Sequence, residues 1–251
     1  MSEGRIRIGI GGWTYPPWRG TFYPEKFPQA NELEYAASKL GAIEINATFY
    51  SRQSPKSWEK WGNSVPDGFQ FAIKGSRYCV MKSKLAEGTE GIANFFAQGL
   101  AALGPKLGPI MWQFTHYRRF DRDDIAGFID LLPSELDGIR LRHAIEPRHR
   151  SFEDDKFFDL CKARNIAIVH EDSDDYPLIE ADTADFTYAR LQRMSEEVPS
   201  GYDANSLDSF ATKAKKWRAR GDAYIFMING AKVRAPAAAL GLQDRLELNL
   251  R

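Results

Sequence analysis

Charged and amide side chains recur at the ends of short apolar runs along the chain. Carboxylates can move protons where burial or a like-charged neighbour raises their pKa, so Glu44, Glu146 and Asp172 are the predicted catalytic residues. Arginine grips a phosphate or carboxylate with two parallel hydrogen bonds and lysine acts as a point charge. The predicted anion-binding residues are therefore Lys74, Arg77, Arg148 and Arg190. The neighbouring groups predicted to contact a substrate are Asn46, Gln113, His149, Tyr188 and Asn229.

An aromatic loop follows the first apolar run. Trp13 and Tyr15 lie there with Trp18, Phe22, Tyr23 and the cation Arg19. Flat rings beside a cation suit stacking on a sugar or a base, which predicts that Trp13 and Tyr15 contact substrate. Packing of the loop against a barrel end is the alternative. For the charged residues the alternative is a layer of buried salt bridges, and both roles are compatible, because a carboxylate that orients an arginine also fixes it for a ligand.

Short β-rich runs alternate with helix-period stretches, which is typical of repeated βα units around a parallel sheet. Eight strands are predicted, over residues 5–11, 42–46, 69–74, 109–114, 139–146, 166–172, 186–191 and 223–229. Eight units in 251 residues leave roughly 31 residues each, which favours an α/β fold of the (β/α)₈ TIM-barrel type. An open doubly wound sheet is the alternative. The sixth helix is expected to be short or missing, and residues 1–251 are expected to form a single domain.

The two-residue period of a strand predicts which side chains face the barrel axis. Assigning the apolar set of each strand to the helix side leaves the polar set inside, at the carboxyl ends where barrel enzymes carry their sites. In the sixth strand, Asp172 rather than Glu171 is predicted to face the axis. In the eighth strand, Asn229 is predicted to lie on the side opposite Phe226 and Ile228, which are assigned to the helix side. The other residues predicted to face inward are Arg7, Gly9, Gly11, Trp13, Glu44, Asn46, Lys74, Met111, Gln113, Glu146, Arg148, Tyr188 and Arg190.

The composition of the chain argues against several classes of protein. The chain has 34 basic and 34 acidic residues and a net charge of zero, which argues against a protein that coats duplex nucleic acid. A run of 18 apolar residues is absent and no basic-then-apolar leader precedes the first strand, so we expect no membrane span and a cytoplasmic location. Two cysteines are too few for a disulfide framework or a thiolate metal site.

The motifs that would indicate a metal ion or a dinucleotide cofactor are weak in this sequence. A divalent metal could draw on His116, His149, His170, Glu146, Glu171 and Asp172, but neither His-x-His nor His-Glu-x-x-His spacing occurs, so no metal and no organic cofactor is predicted. Gly9, Gly11 and Gly12 match a dinucleotide fingerprint only superficially, because residues 13–17 (WTYPP) break the required helix start.

Four segments resemble the YecE-like family, also called domain of unknown function seventy-two. They are residues 8–20 (IGIGGWTYPPWRG), 43–50 (IEINATFY), 69–77 (FQFAIKGSR) and 146–152 (EPRHRSF). The resemblance implies a TIM-type barrel with a site at its carboxyl-terminal face, and it implies no activity. The chain departs from the family pattern Tyr-x-Arg-x-His-Gly in strand seven, where Tyr188 and Arg190 are followed by Gln192 and Arg193. After strand eight the usual paired Asn is reduced to Asn229-Gly230, and the Tyr-Ala segment becomes residues 232–236 (KVRAP).

Three functions remain open. The first is an enzyme without an organic cofactor that acts on a small phosphorylated or carboxylated sugar- or nucleotide-like substrate, using Glu146 or Asp172 to move a proton. The second is a nucleic-acid-binding or repair-type protein, which shape analogy to endonuclease barrels suggests. The third is a ligand sensor that has lost the chemistry of strands seven and eight. The sequence predicts no oligomeric state.

Overall fold

A computed structural model describes residues 3–248, and its central feature is a parallel sheet rolled into a nearly closed barrel. Its strands, in chain order, are β1 (Ile6–Gly11), β2 (Ala42–Ile45), β3 (Gln70–Lys74), β4 (Leu107–Gln113), β7 (His143–Glu146), β8 (Ala167–Ile168), β9 (His170–Asp172), β10 (Phe186–Leu191) and β11 (Asp222–Met227), with the two short strands β5 (Glu135–Leu136) and β6 (Ile139–Arg140) apart from it. The predicted (β/α)₈ barrel is confirmed, and the open doubly wound sheet is not formed.

Helices cover the outside of the barrel. They are α1 (Glu32–Lys39), α2 (Ala47–Tyr50), α3 (Pro55–Asn63), α4 (Arg77–Val80), α5 (Thr89–Phe96), α6 (Arg122–Leu131), α7 (Asp155–Ala163), α8 (Ala204–Arg218) and α9 (Ala235–Arg245). Several begin where a side chain accepts a hydrogen bond from the first turn: Asp121 caps α6, Asp154 caps α7 and Asp203 caps α8. Residues 173–185 form no helix, as the sequence predicted.

The sixth strand position closes the ring in two pieces. The first piece, β8, pairs with β7 through two residue pairs, and the second, β9, pairs with β10 through three. Val169 lies between them and its N–H donates to the carbonyl of Ile145. The ninth strand in the sheet therefore arises from this interruption, and the number of strand positions around the ring remains eight.

Residues 139–146 do not form one strand. Ile139–Arg140 instead pairs antiparallel with Glu135–Leu136 in a hairpin whose turn contains Asp137 and Gly138, both with positive φ. Asp and Gly tolerate the left-handed conformation of such a turn, so this Asp-Gly pair is a hairpin signal that the strand prediction missed.

Two apolar layers fill the molecule. The larger lies between the strands and the helices, and the smaller occupies the inside of the barrel, where Ala42, Ala72, Met111, Tyr188 and Phe226 belong to one buried cluster. The barrel walls are close at Gly9, since a Cβ there would lie 2.1 Å from the carbonyl oxygen of Ala42.

The described residues contain no helix with the length and apolar character needed to cross a lipid bilayer. The predicted domain of residues 1–251 includes residues 1–2 and 249–251, which lie outside the described residues, so its extent stays a prediction.

Candidate functional site

Most of the predicted polar residues meet at one end of the barrel, the rim formed by the carboxyl ends of the strands, which we call the mouth. Two regions can be distinguished there. One is a buried network of carboxylates and arginines across the barrel interior, and the other is an open cavity beside it. Arg190 belongs to both, since it pairs with carboxylates and also lines the cavity.

Arg190 is the centre of the buried network. The residue is 1% exposed, and its guanidinium holds Glu44 with two hydrogen bonds, Nε to Oε2 and Nη2 to Oε1, each 3.1 Å long. A third hydrogen bond runs from its Nη1 to Oε2 of Glu146. Tyr188 donates its hydroxyl to Oε2 of Glu44 at 2.7 Å. This fork geometry fixes the arginine, because planar guanidinium and carboxylate groups match in two places.

Glu146 accepts hydrogen bonds from two further residues. Arg148 donates from Nε at 2.6 Å and Gln113 from Nε2 at 2.7 Å, both to Oε1. Burial alone would raise the pKa of Glu146, but Arg190, Arg148 and Lys74 outweigh it and lower the pKa to about 2. Glu146 is therefore an anion at neutral pH, and it is poorly suited to move a proton there.

Glu171, in contrast to Glu146, is favoured in its protonated form. Burial and the neighbouring charge of Glu146 raise the pKa of its carboxyl group to about 8. Arg148 is shared unequally between the two acids, since its Nη2 lies 3.7 Å from Glu171 Oε1, much farther than its contact with Glu146. Glu171 Oε2 is buried and has no hydrogen-bond partner among the described residues. A proton on this oxygen is therefore favoured at neutral pH.

The prediction that Asp172 faces the barrel axis is wrong. Glu171 points inward in its place, while Asp172 accepts a hydrogen bond from the Tyr202 hydroxyl at 2.8 Å and pairs with Arg193 on the outer side. His170 shares that outer face and packs edge-on against Trp217, with ring centroids 5.0 Å apart. Alternation could not decide the matter, because residues on both faces of this strand are buried.

The orientation predicted for the eighth strand is also wrong. Phe226 and Ile228 face the inside of the barrel, where Phe226 packs 5.2 Å from the ring of Tyr188. Asn229 nevertheless reaches the mouth, because the chain leaves the strand there with a positive φ of 59°. Its Nδ2 donates to Gln192 Oε1 at 2.8 Å, and Gln192 in turn donates to Glu171.

The open region is a cavity of about 490 Å³ over the ends of β1, β2, β3 and β11, which we call the mouth cavity. Among residues 3–248, three cations line it, Lys74, Arg190 and Lys232, and no carboxylate does. Two side-chain amides are also present, from Asn46 and Asn229. The aromatic part of the lining is Trp13, Trp18, Tyr50 and Trp61. Such a site is chemically suited to an anion that also has a flat or hydroxyl-bearing part.

The two lysines of the mouth cavity lie over aromatic rings. Lys74 Nζ is 4.4 Å from the ring centroid of Phe49, and Lys232 Nζ is 4.7 Å from that of Tyr15. Burial and the nearby Arg190 lower the pKa of Lys74 to about 8. Burial likewise lowers the pKa of Lys232.

The remaining predicted residues lie around this centre. Trp13 lines the mouth cavity and packs edge-on against Trp61 at 5.2 Å, whereas Tyr15 lies behind Lys232 and outside the lining. Arg77 is exposed over the ring of Tyr78. The Nδ1 atom of His149 accepts a hydrogen bond from the N–H of Ser151 at 3.0 Å and so caps a short helical turn, which is a structural contact.

Sequence reasoning missed Lys232 and Gln192 and placed Glu171 on the wrong face. Lys232 had no signal of its own beyond following strand eight. Gln192 was noted only as the residue that stands where the family resemblance expects His. Among residues 3–248, no three His, Cys, Asp or Glu side chains come together in a way that could hold a metal ion.

The family model described as "Protein of unknown function DUF72" matches residues 7–251. The chain belongs to the DUF72 family. The UPF0759 protein YunF of Bacillus subtilis is 24% identical over 159 residues, which is 61% of this chain and 54% of that protein, so the match spans about half of YunF. The name DUF72 records that the activity of the family is unknown.

Solved structures of other DUF72 proteins have the same fold. One from Thermotoga maritima is 20% identical with a TM-score of 0.80, covering 97% of this chain and 100% of its own. One from Enterococcus faecalis is 19% identical with a TM-score of 0.75, covering 98% and 97%. A xylose isomerase-like TIM barrel fused to a 4-hydroxyphenylpyruvate dioxygenase is 12% identical with a TM-score of 0.52, covering 97% of this chain and 43% of that protein. These similarities establish the fold of this DUF72 protein.

Proposed function

We propose that this DUF72 protein is an enzyme that acts on a small phosphorylated or carboxylated, sugar- or nucleotide-like substrate in the mouth cavity. The observation that carries the proposal is the lining of that cavity, three cations without a carboxylate. Glu44 and Glu146 neutralise Arg190, but no carboxylate of the described residues pairs with Lys74 or Lys232. The positive charge of these two lysines attracts an anion, and partial burial keeps that attraction from being screened by salt.

Each part of the lining has a role in this proposal. Lys74, Lys232 and Arg190 bind the anionic group, and Glu44 and Glu146 hold Arg190 in a fixed orientation. Asn46 and Asn229 bind hydroxyl or amide groups. Trp13 and Trp61 cover the apolar part of the substrate.

Glu171 replaces Asp172 as the proposed acid or base. The pKa of its carboxyl group, about 8, lies close to neutral pH, which suits proton transfer. Gln192 and Asn229 link it by hydrogen bonds to the edge of the mouth cavity.

Tryptophan fluorescence tests the proposed binding, because Trp13, Trp18 and Trp61 line the cavity. Titration with inorganic phosphate and with glucose 6-phosphate should change the emission, whereas uncharged glucose at the same concentrations should not. Lys232→Gln should weaken the response about tenfold, as expected when one of a few close charges is lost. Lys156→Gln, which removes an exposed lysine of α7, should leave it unchanged. Equal responses of wild type and Lys232→Gln would refute an anion site in this cavity.

Binding of single-stranded nucleic acid is a second candidate function. Three exposed tyrosines follow the strands of the mouth, Tyr50, Tyr78 and Tyr117, and each is more than 60% exposed. The exposed cation Arg77 lies over Tyr78. Rings and cations together suit stacked bases and phosphates. A steep loss of oligonucleotide binding with rising salt would support this function, and no binding at low salt would exclude it.

The third possibility is a ligand sensor without catalytic activity. Ligand binding in the mouth cavity without turnover of any probe would favour that sensor over an enzyme.

A further inference from the structure

Lys74 differs from the other buried cations of this protein. Among residues 3–248 three cationic side chains are buried, Arg7, Lys74 and Arg190. Arg7 pairs with Asp222 at 3.1 Å, and Arg190 pairs with Glu44 and Glu146. For Lys74, no carboxylate oxygen of the described residues lies within 4.0 Å of Nζ, and Nζ makes no hydrogen bond to them. Unlike Glu171 Oε2, Nζ of Lys74 is not sealed from solvent, so it is open to a ligand in the mouth cavity.

The surroundings of Lys74 raise the fraction of neutral amine at neutral pH. The residue ends β3 with 9% of its surface exposed, and this burial outweighs the ring of Phe49 under Nζ and the carboxylates of Glu44 and Glu146, which favour the charged form. Arg190 lines the same cavity and Arg148 is close enough to repel a second positive charge. Desolvation and cationic neighbours are the two means by which proteins activate a lysine as a nucleophile.

We propose that Lys74 is a nucleophile that forms an imine with the carbonyl carbon of an anionic aldehyde or ketone bound in the mouth cavity. This inference rests on the proposed function and narrows its substrate to an anionic carbonyl compound. Lys232 and Arg190 hold the carboxylate or phosphate, and the amine of Lys74 faces the carbonyl. The rigid end of a barrel strand fixes that amine.

The reaction is balanced without any further reagent. The nitrogen lone pair of Lys74 forms a bond to the carbonyl carbon while the carbonyl π electrons move to oxygen, which takes up a proton. The amine gives up that first proton and so becomes a carbinolamine nitrogen. It then gives its second proton to the hydroxyl group, the C–O bond breaks as water leaves, and the nitrogen lone pair forms the C=N bond. Substrate and amine thus give an imine and one water, with no oxidant or reductant consumed.

Lys74 is assigned the covalent role and Lys232 the binding role because of their places in the fold. Lys232 lies in a short helical turn over Tyr15 and Trp18 and is less buried than Lys74. At pH 7, a pKa of about 8 leaves roughly a tenth of Lys74 as neutral amine, whereas an exposed lysine keeps fewer than about one part in a thousand.

Reductive trapping tests the proposal. The protein is incubated at pH 7 with pyruvate or with dihydroxyacetone phosphate and sodium cyanoborohydride, which reduces an imine to a stable amine. Modified lysines are then located by peptide mass spectrometry. Lys74 should be modified at least about tenfold faster than exposed Lys156. Lys74→Arg keeps the charge and should abolish the fast adduct, and Lys232→Gln should slow it with both anionic probes but not with acetone.

The outcomes separate this inference from the proposed function. Fast modification of Lys74 by either anionic probe supports the imine, and the probe that reacts faster identifies a carboxylate or a phosphate site. If phosphate and glucose 6-phosphate change the tryptophan emission but both carbonyl probes modify all lysines alike, the imine is wrong and the anion site stands. If neither emission nor Lys74 responds, both are wrong.

Discussion

The two regions of the mouth treat charge in opposite ways. In the buried network, Arg190 and Arg148 are matched by Glu44 and Glu146, so each charge has an opposite partner within hydrogen-bonding distance. In the mouth cavity, no carboxylate of the described residues pairs with Lys74 or Lys232, and their Nζ atoms lie over the rings of Phe49 and Tyr15. Charges that are mutually neutralised hold a structure in one arrangement, whereas charges left without partners are available to a ligand. The comparison therefore assigns the network mainly to architecture and the cavity mainly to binding.

Removal of Arg190 should have the largest effect. Arg190→Met would leave Glu44 and Glu146 as buried carboxylates without their main partner, and we expect the free energy of unfolding to fall by about 3–5 kcal/mol. Urea unfolding at pH 7 measures this change in the free energy of unfolding. Arg193→Met is the matched control, because Arg193 also pairs with two acids but is half exposed, and it should cost less than about 1 kcal/mol. Similar losses for the two variants would contradict the special role of the network. If Arg190→Met does not fold, Arg190→Lys, which keeps the charge and loses the fork, gives a smaller loss that can be measured.

The two neighbouring acids of the network should respond to pH with opposite signs. The pKa of Glu146, about 2, lies below the unfolded value of 4.5, so its stabilisation is present above pH 4.5 and is lost as the pH falls toward 2. The pKa of Glu171, about 8, lies above that value, so its stabilisation is full below pH 4.5 and is lost as the pH rises toward 8.

Glutamine variants separate these two contributions. Relative to wild type, Glu171→Gln should gain roughly 1–3 kcal/mol as the pH rises from 5 to 8, because glutamine imitates the protonated acid. Glu146→Gln should show a deficit that develops as the pH rises from about 2 to 4.5 and then stays constant. Urea unfolding across this pH range gives both curves. Parallel curves for the two variants would mean that the acids titrate alike.

Replacement of Lys74 should have the smallest effect on stability. Lys74→Met removes a buried cation that has no acidic partner, so the free energy of unfolding should stay the same or rise by up to about 1 kcal/mol, while phosphate binding weakens. Lys106→Met is the contrast. Lys106 Nζ donates to the carbonyls of Gly62 and Val65, each at 2.8 Å, and its loss should cost about 1–2 kcal/mol. A comparable loss for Lys74→Met would show that Lys74 is structural.

Much of this architecture could be predicted from sequence. Alternation correctly placed Glu44, Lys74, Glu146 and Arg190 at the mouth, because each is a charged residue near the carboxyl end of a strand and its neighbours in the strand are apolar. The barrel fold followed from the number and spacing of the strands, and the missing sixth helix from the short distance between strands six and seven.

The errors arose where the two faces of a strand have the same character, which is polar in β9 (His170–Asp172) and apolar in β11. In β11, Tyr224, Phe226 and Ile228 fill the barrel while Ala223, Ile225 and Met227 face the helices. The rule that apolar residues face the helices therefore could not distinguish the two faces of this strand. The contribution of Lys232 to the mouth cavity could not be predicted, since the place of Lys232 depends on how the turn after β11 folds back over Tyr15.

The interruption of the sixth strand also determines where the wall of the barrel opens most easily. Only two residue pairs join β7 to β8, whereas six join β10 to β11, so separating the wall at the first seam breaks far fewer hydrogen bonds. We therefore expect thermal opening to be concentrated at this seam, beside the ionised Glu146 and the protonated Glu171, so that the buried proton of Glu171 can exchange with water there.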